Sequence, residues 1–106
     1  MNLQQIADTL EFDLEDVEML MDMFLSDAKE SLHSVESTIE SNDFEQMKNI
    51  AHSIKGSASN LMLEEIREIA LQIEESAKTE TLSDYKSLFT KLEDALDSIE
   101  DIKIAA

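Results

Sequence analysis

The chain has 106 residues, with 25 Asp and Glu against 8 Lys and Arg, and a formal net charge of −17. Such an anion repels phosphate backbones and anionic lipid, which argues against nucleic-acid and membrane-surface roles. With no Pro, one Gly, no Cys and only two Val, the composition argues against turn-rich β architecture, disulfides and thiolate metal sites, and favours helices.

The first element is a short helix over residues 2–10, marked by Leu3, Ile6, Ala7 and Leu10, expected to lie across one end of a bundle. Asp13 or a neighbour caps the next helix, and Glu15 and Asp16 suit its first turn. That helix is predicted to run to Ser41, with Val17, Leu20, Met21, Phe24, Ala28, Val35 and Ile39 as its buried stripe. At about 1.5 Å per residue it would be roughly 40 Å long, so it bends or overhangs its neighbours. Asn42 with Glu45 reads as a capping box opening a central helix, which ends between Asn60 and Met62. Ile66, Ile69, Ala70, Ile73 and Ala77 mark a helix over 63–78. Thr81 with Asp84 reads as a second capping pattern. A last helix follows to about Ile102, with Tyr85, Leu88, Phe89, Leu92, Leu96 and Ile99 on its stripe.

Short connections between long amphipathic helices predict an all-α fold, an antiparallel up-down-up-down four-helix bundle with the extra N-terminal helix. The length fits a single domain, 1–106. No apolar run reaches the roughly 18 residues of a membrane span, and no basic-then-apolar leader opens the chain. It is expected to be soluble, cytoplasmic and monomeric.

Gln46 to Leu63 stands apart, because this run contains no acid in so acidic a chain. It holds Lys48, Lys55, His52 and the sole glycine, Gly56. Phe44, Met47, Ile50, Ala51, Ile54, Ala58 and Leu61 share one helix face, and His52 lies roughly 135° from its centre. Lys48, Lys55, Gly56 and Ser59 surround it on the outer side. An interior helical glycine costs about 1 kcal/mol relative to alanine, so Gly56 points to close approach by another molecule. A neutral imidazole presents a nitrogen lone pair that can attack an activated phosphoryl group. Lys55 at i+3 and Lys48 at i−4 would offset the charge that arrives, and the Ser59 hydroxyl would add a donor. His33, set among Glu30, Ser31, Ser34 and Glu36, reads as a solvated surface histidine. Neither histidine has the i, i+4 partner of a helical zinc site. Met21 belongs to the core stripe, while Met19 and Met23 read as edge filler or soft partner contacts.

The run Ala51-His52-Ser53-Ile54-Lys55-Gly56, continued by Ser57, Ser59, Asn60 and Leu61, resembles the signature of histidine-phosphotransfer (HPt) domains of two-component phosphorelays. The likeness extends to Met23-Phe24-Leu25 with the Asn42-Asp43-Phe44 turn, and to Leu63 through Lys78. It implies that His52 is the phosphoacceptor, through Nε2. It also implies a phosphoryl carrier rather than an enzyme, working between a sensor histidine kinase or receiver-domain aspartate and a response regulator. No cofactor is implied in this chain, while Mg²⁺ is expected on the partner receiver. An acid-free landing patch suits such an acidic partner site. The likeness carries over to Glu74, whose carboxylate resembles the one that orients the imidazole in chemotaxis kinases, and brings Lys78 near the site. Many relatives have glycine where this chain has Met62. Methionine resists positive φ, so the turn there is expected to be built differently.

Two other readings compete. One is a phosphoacceptor domain of a larger kinase, chemotaxis-type or hybrid. The other is an HPt-like interaction module without phosphochemistry. An enzyme with its own active site fits poorly, since the chain lacks a phosphate-cradling glycine loop and any recognisable Ser-His-Asp set.

Overall fold

The computed structural model describes residues 3–81 and 83–105, with side chains as far as residue 99. These residues form no strand. The order is α1 (Leu3–Leu10), α2 (Leu14–Ser31), a 3-10 turn (Leu32–Ser34), α3 (Val35–Glu40), α4 (Phe44–Asn60), α5 (Glu64–Lys78) and α6 (Tyr85–Ala105). The molecule is a rod of 42 × 21 × 17 Å.

That run is not the continuous helix that periodicity predicts. Ser34 leaves helical geometry at φ −102° and ψ 12°. The cause is local. The Ser31 hydroxyl donates to Asp27 O at 3.0 Å, and those of Ser37 and Thr38 both donate to Ser34 O, at 2.9 and 3.0 Å. Hydroxyls that bond back to carbonyls compete with the helix ladder and bend it. The bend keeps Leu32 and Val35 buried on either side.

The helix ends follow one device. Glu11, Asn42, Met62 and Glu80 take left-handed φ of 59°, 53°, 61° and 54°. Each is followed by a residue whose N–H reaches back into the last turn: Phe12 to Ala7 O, Asp43 to Thr38 O, Leu63 to Ala58 O and Thr81 to Ser76 O, at 2.9 to 3.1 Å. These are Schellman ends, a motif that prefers glycine at the left-handed position. Here no glycine is used.

Met62 therefore corrects the expectation from sequence. The turn is the ordinary one, with methionine held in left-handed backbone. Met62 N–H bonds Ser59 O at 3.2 Å, Leu63 N–H bonds Ala58 O at 2.9 Å, and Leu61 and Leu63 are buried on either side. Those bonds and that burial outweigh the cost of the left-handed residue. Asn60 is the last residue of α4, so the helix ends within the expected interval.

The caps shift by the same logic. Asn42 is consumed by its left-handed turn, so α4 is capped by Asp43, whose Oδ1 accepts from Gln46 N–H at 3.1 Å. Asp84, not Thr81, caps α6, with Oδ1 accepting from Ser87 N–H at 3.1 Å. Thr81 O instead accepts the Tyr85 hydroxyl at 2.6 Å. Asp13 is the N-cap of α2 by its extended backbone, without a side-chain capping bond.

The core combines the expected stripes: Val17, Met21 and Phe24 of α2, Met47, Ile54 and Ala58 of α4, Ile66 and Ile73 of α5, Phe89, Leu92 and Leu96 of α6. Leu25 and Leu32 join it beyond expectation, while Leu20, Ile39, Ile69 and Ile99 are only partly buried. α4 packs most extensively on α5, α5 on α6, and the α2–α3 run on both α4 and α6. Leu3 and Ile6 of α1 border a 280 Å³ cleft with Met21, Met62, Leu63 and Ile99, which puts α1 across one end of the rod.

Glu80 is exposed and held at positive φ. Glu80→Gly is expected to raise unfolding stability by about 1 kcal/mol, read by chemical denaturation, because the strain of a left-handed L-residue is removed. No gain would mean that the turn holds no such strain.

Candidate functional site

The site is built on the α4–α5 hairpin. In α4 the apolar face turns Met47, Ala51, Ile54 and Ala58 inward, each no more than 3% exposed. The same winding turns His52 outward, leaving 71% of its side chain exposed. The three-residue turn Leu61–Leu63 folds α5 back along α4, so residue 74 comes level with residues 52 and 55.

Glu74 is the pivot. Thr38 and Glu74 are the buried polar side chains among the described residues. Glu74 sits on the buried stripe of α5 with Ala70, Ile73 and Ala77. Its Oε2 accepts from His52 Nδ1 at 2.5 Å, and its Oε1 accepts from Lys55 Nζ at 2.6 Å. Burial pushes the Glu74 carboxyl up. The hydrogen bonds from Lys55 and His52, with the Lys55 charge, outweigh it and hold the carboxyl below its ordinary 4.5.

An ionised carboxylate can only accept. The bond to Glu74 therefore fixes the neutral imidazole proton on Nδ1. The Nε2 lone pair then faces solvent, with no hydrogen bond from a described residue upon it. Histidine nitrogens differ in role through the bond each makes, and here one is committed while the other is open.

The other expected members divide. Gly56 is exposed in α4, and a Cβ built there would meet nothing within 4 Å. No packing contact within the chain calls for a glycine at that place. Lys55 is brought to the site, where Glu74 engages its Nζ. Lys48 is not brought in; it pairs with Glu45 at 3.2 Å. Ser59 donates to Lys55 O at 2.9 Å, which turns its hydroxyl onto the helix backbone. Lys78 is exposed, and no hydrogen bond joins it to His52 or Glu74. His33 is exposed on the 3-10 turn.

The Lys55–Glu74 bond was not foreseen from sequence, although a signal existed. Glu74 lies four residues after Ala70 and three before Ala77, so it is the acid that interrupts an apolar stripe. A buried acid needs a partner, and the facing helix offers Lys55. Among the described residues no group of three or more His, Asp or Glu could hold a metal, and no helix is long and apolar enough to cross a membrane.

A family model described as Hpt domain matches residues 19–102. No curated protein matches the chain. Among solved structures, histidine-containing phosphotransfer protein B (HptB) from Pseudomonas aeruginosa PAO1 superposes with a TM-score of 0.81 at 23% identity, over 97% of this chain and 87% of that one. At that identity the likeness establishes a shared all-helical fold.

Two outcomes are expected of the site itself. Gly56→Ala should raise stability by about 1 kcal/mol in thermal or chemical unfolding, since alanine is the better helix former and nothing obstructs its methyl group. Glu74→Gln should cost about 1–2 kcal/mol at neutral pH, the scale of hydrogen bonds to charged groups. Because the folded carboxyl titrates below its unfolded value, its contribution is present above about pH 4.5 and is lost as pH falls through the lowered folded value. The stability gap between the wild type and Glu74→Gln should therefore close on acidification; a gap that is constant with pH would contradict the assignment.

Proposed function

Because the chain belongs to the Hpt domain family, we propose that it carries a phosphoryl group on His52 Nε2 between partner proteins of a two-component phosphorelay. The observation that carries this reading is the pairing of a committed Nδ1 with an open Nε2 on a solvent-facing ring. The Nε2 lone pair attacks the phosphorus of an aspartyl phosphate on a receiver domain, or of a kinase-bound donor. The P–O bond to the donor breaks and its oxygen leaves with the bonding electrons. The ring keeps its Nδ1 proton and becomes cationic, and Glu74 stabilises that charge. The reverse sequence passes the group on to the next aspartate.

Lys55 has a second task in this scheme. Its Nζ is one bond from Glu74, and only 26% of its side chain is exposed. In the resting chain it keeps Glu74 ionised; once the ring is phosphorylated, its charge also opposes the new anion. Gly56 leaves the space through which a partner's backbone approaches. Lys48 and Ser59 are reserves, reached by rotating away from Glu45 and from the Lys55 carbonyl. The chemistry needs no cofactor in this chain, and Mg²⁺ belongs to the receiver that supplies or takes the group. The chain acts as a carrier rather than as an enzyme.

The same reading takes residues 1–106 as one cytoplasmic, monomeric domain, with α2–α3, α4, α5 and α6 running up-down-up-down as an antiparallel four-helix bundle. The contact of each long helix with two neighbours supports that arrangement. A second reading, a phosphoacceptor domain of a larger kinase, is favoured by the Glu74 carboxylate at His52, the feature likened above to chemotaxis kinases.

Incubation with a phosphorylated receiver or a kinase is expected to give an acid-labile, alkali-stable phosphoprotein, and His52→Gln to abolish it. Glu74→Gln should slow transfer by about 10- to 100-fold, the scale found when carboxylates that orient metal-bound imidazoles are removed. Label that persists in His52→Gln would overturn the assignment.

A further inference from the structure

The end of the rod beneath α1 is hollow. Leu3 and Ile6 of α1, Met21 of α2, Met62 of the α4–α5 turn, Ile66 of α5 and Ile99 of α6 line a cleft of 280 Å³. The helix that carries His52, α4, lends no residue to its lining. Leu3, Ile6, Met21 and Ile66 are at most 3% exposed and form the floor. Met62 and Ile99 are half-buried and form the walls. Ligand sites in helical bundles lie between helices, mostly apolar with a few polar groups at the edge. An apolar cavity of about 150 Å³ already admits benzene, so this cleft has room for a ring with a short side chain.

The backbone at Met62 gives the cleft a second mark. Among the described residues Glu11, Asn42, Met62 and Glu80 take left-handed backbone. Glu11, Asn42 and Glu80 are exposed; Met62 alone of the four is half-buried, and it lines the cleft. A left-handed L-residue is strained, and such strain persists where its surroundings or a site demand it. Glycine would make the same turn without strain, but it would leave this wall of the cleft missing.

The rim carries one sign of charge. Glu64, Glu65 and Ser98, all exposed, border the cleft, and no described lining residue is a cation. Glu64 Oε2 accepts from Arg67 Nη2 at 2.9 Å, which leaves Glu65 as the carboxylate for an incoming group. On a chain of net charge −17, such a mouth repels anions and attracts ammonium groups. The thioethers of Met21 and Met62 favour a ring over a plain alkyl chain, because sulfur makes good contacts at an aromatic edge. We propose that the cleft binds a small aromatic amine, with its ring against Met21 and Met62 and its ammonium group at Glu65. This site is separate from His52 and does not rest on phosphotransfer. Because α1, α2, α5 and α6 all line the cleft, an occupant ties α1 to the rest of the bundle and stabilises the folded chain by mass action.

The test uses the full chain with labelled methionine methyl groups and four probes: tryptamine, indole, indole-3-acetate and ethylamine. Tryptamine should shift the Met21 and Met62 signals and raise the thermal midpoint, while the exposed Met19 and Met23 stay unmoved. Indole should bind about threefold more weakly, the scale of one exposed ion pair. Indole-3-acetate should bind more weakly still, and ethylamine should leave the Met21 and Met62 signals in place. Glu65→Gln should bring tryptamine down to the level of indole. Met62→Gly removes a wall while relaxing the turn, and should weaken tryptamine by about tenfold, the scale of one apolar side chain lost from a contact. Ser98→Leu fills the mouth from an exposed position and should weaken it at least as much. The unfolding midpoint of each variant shows whether it folds; if one does not, the other decides. No shift with tryptamine, shifts that reach Met19 and Met23 equally, or shifts that persist at full strength in Ser98→Leu would overturn the site. Equal binding of indole-3-acetate would overturn the part given to Glu65, and equal shifts with ethylamine would reduce the effect to charge and overturn the proposal.

Discussion

One carboxylate, shared between an imidazole and an ammonium group, holds the candidate site together. Glu74 is buried, and a buried carboxylate is costly unless its oxygens are bonded. Each oxygen has a partner, His52 Nδ1 on one and Lys55 Nζ on the other. The trio is close to neutral as a unit, so it adds no net charge beneath a surface that an anionic phosphoryl group would approach. It also couples two helices: the partners sit on α4 and the acceptor on α5. The most extensive helix–helix contact among the described residues is between the same two helices. The apolar contact and the ionic contact therefore reinforce one geometry.

Much of the fold was legible because the chain is locally consistent. Apolar residues at helical spacing placed every long helix, and the faces they defined are the ones buried. The failures share a physical cause. Ser34, Asn42 and Thr81 lie where side-chain hydroxyls or left-handed backbone compete with helical hydrogen bonding, and that competition is settled by bonds to residues three to five positions away rather than by apolar spacing. Met62 is the clearest case. Its intrinsic preference argues against positive φ, yet burial of Leu61 and Leu63 with two returning hydrogen bonds prevails.

For the site, the outward placement of His52 and Gly56 followed from one helical wheel. What the wheel could not supply was the destination of long flexible side chains. Lys48, Lys55 and Ser59 all sit near His52 by angle, but a lysine reaches for whichever carboxylate is closest. Lys48 finds Glu45 one turn away, Lys55 finds Glu74 on another helix, and Ser59 finds a carbonyl of its own helix. Angular position on a helix locates a Cβ; it does not locate a charge.

The distribution between helices has one more consequence. The recognisable run from Ala51 to Asn60 belongs to α4, but the group that selects which ring nitrogen bears the proton comes from α5. A peptide copied from α4 would retain the whole sequence pattern, yet its imidazole would interconvert freely between both tautomers. The chemical character of His52 is thus a property of the folded hairpin, and any opening that parts α5 from α4 erases it before the helix carrying the ring has begun to unwind.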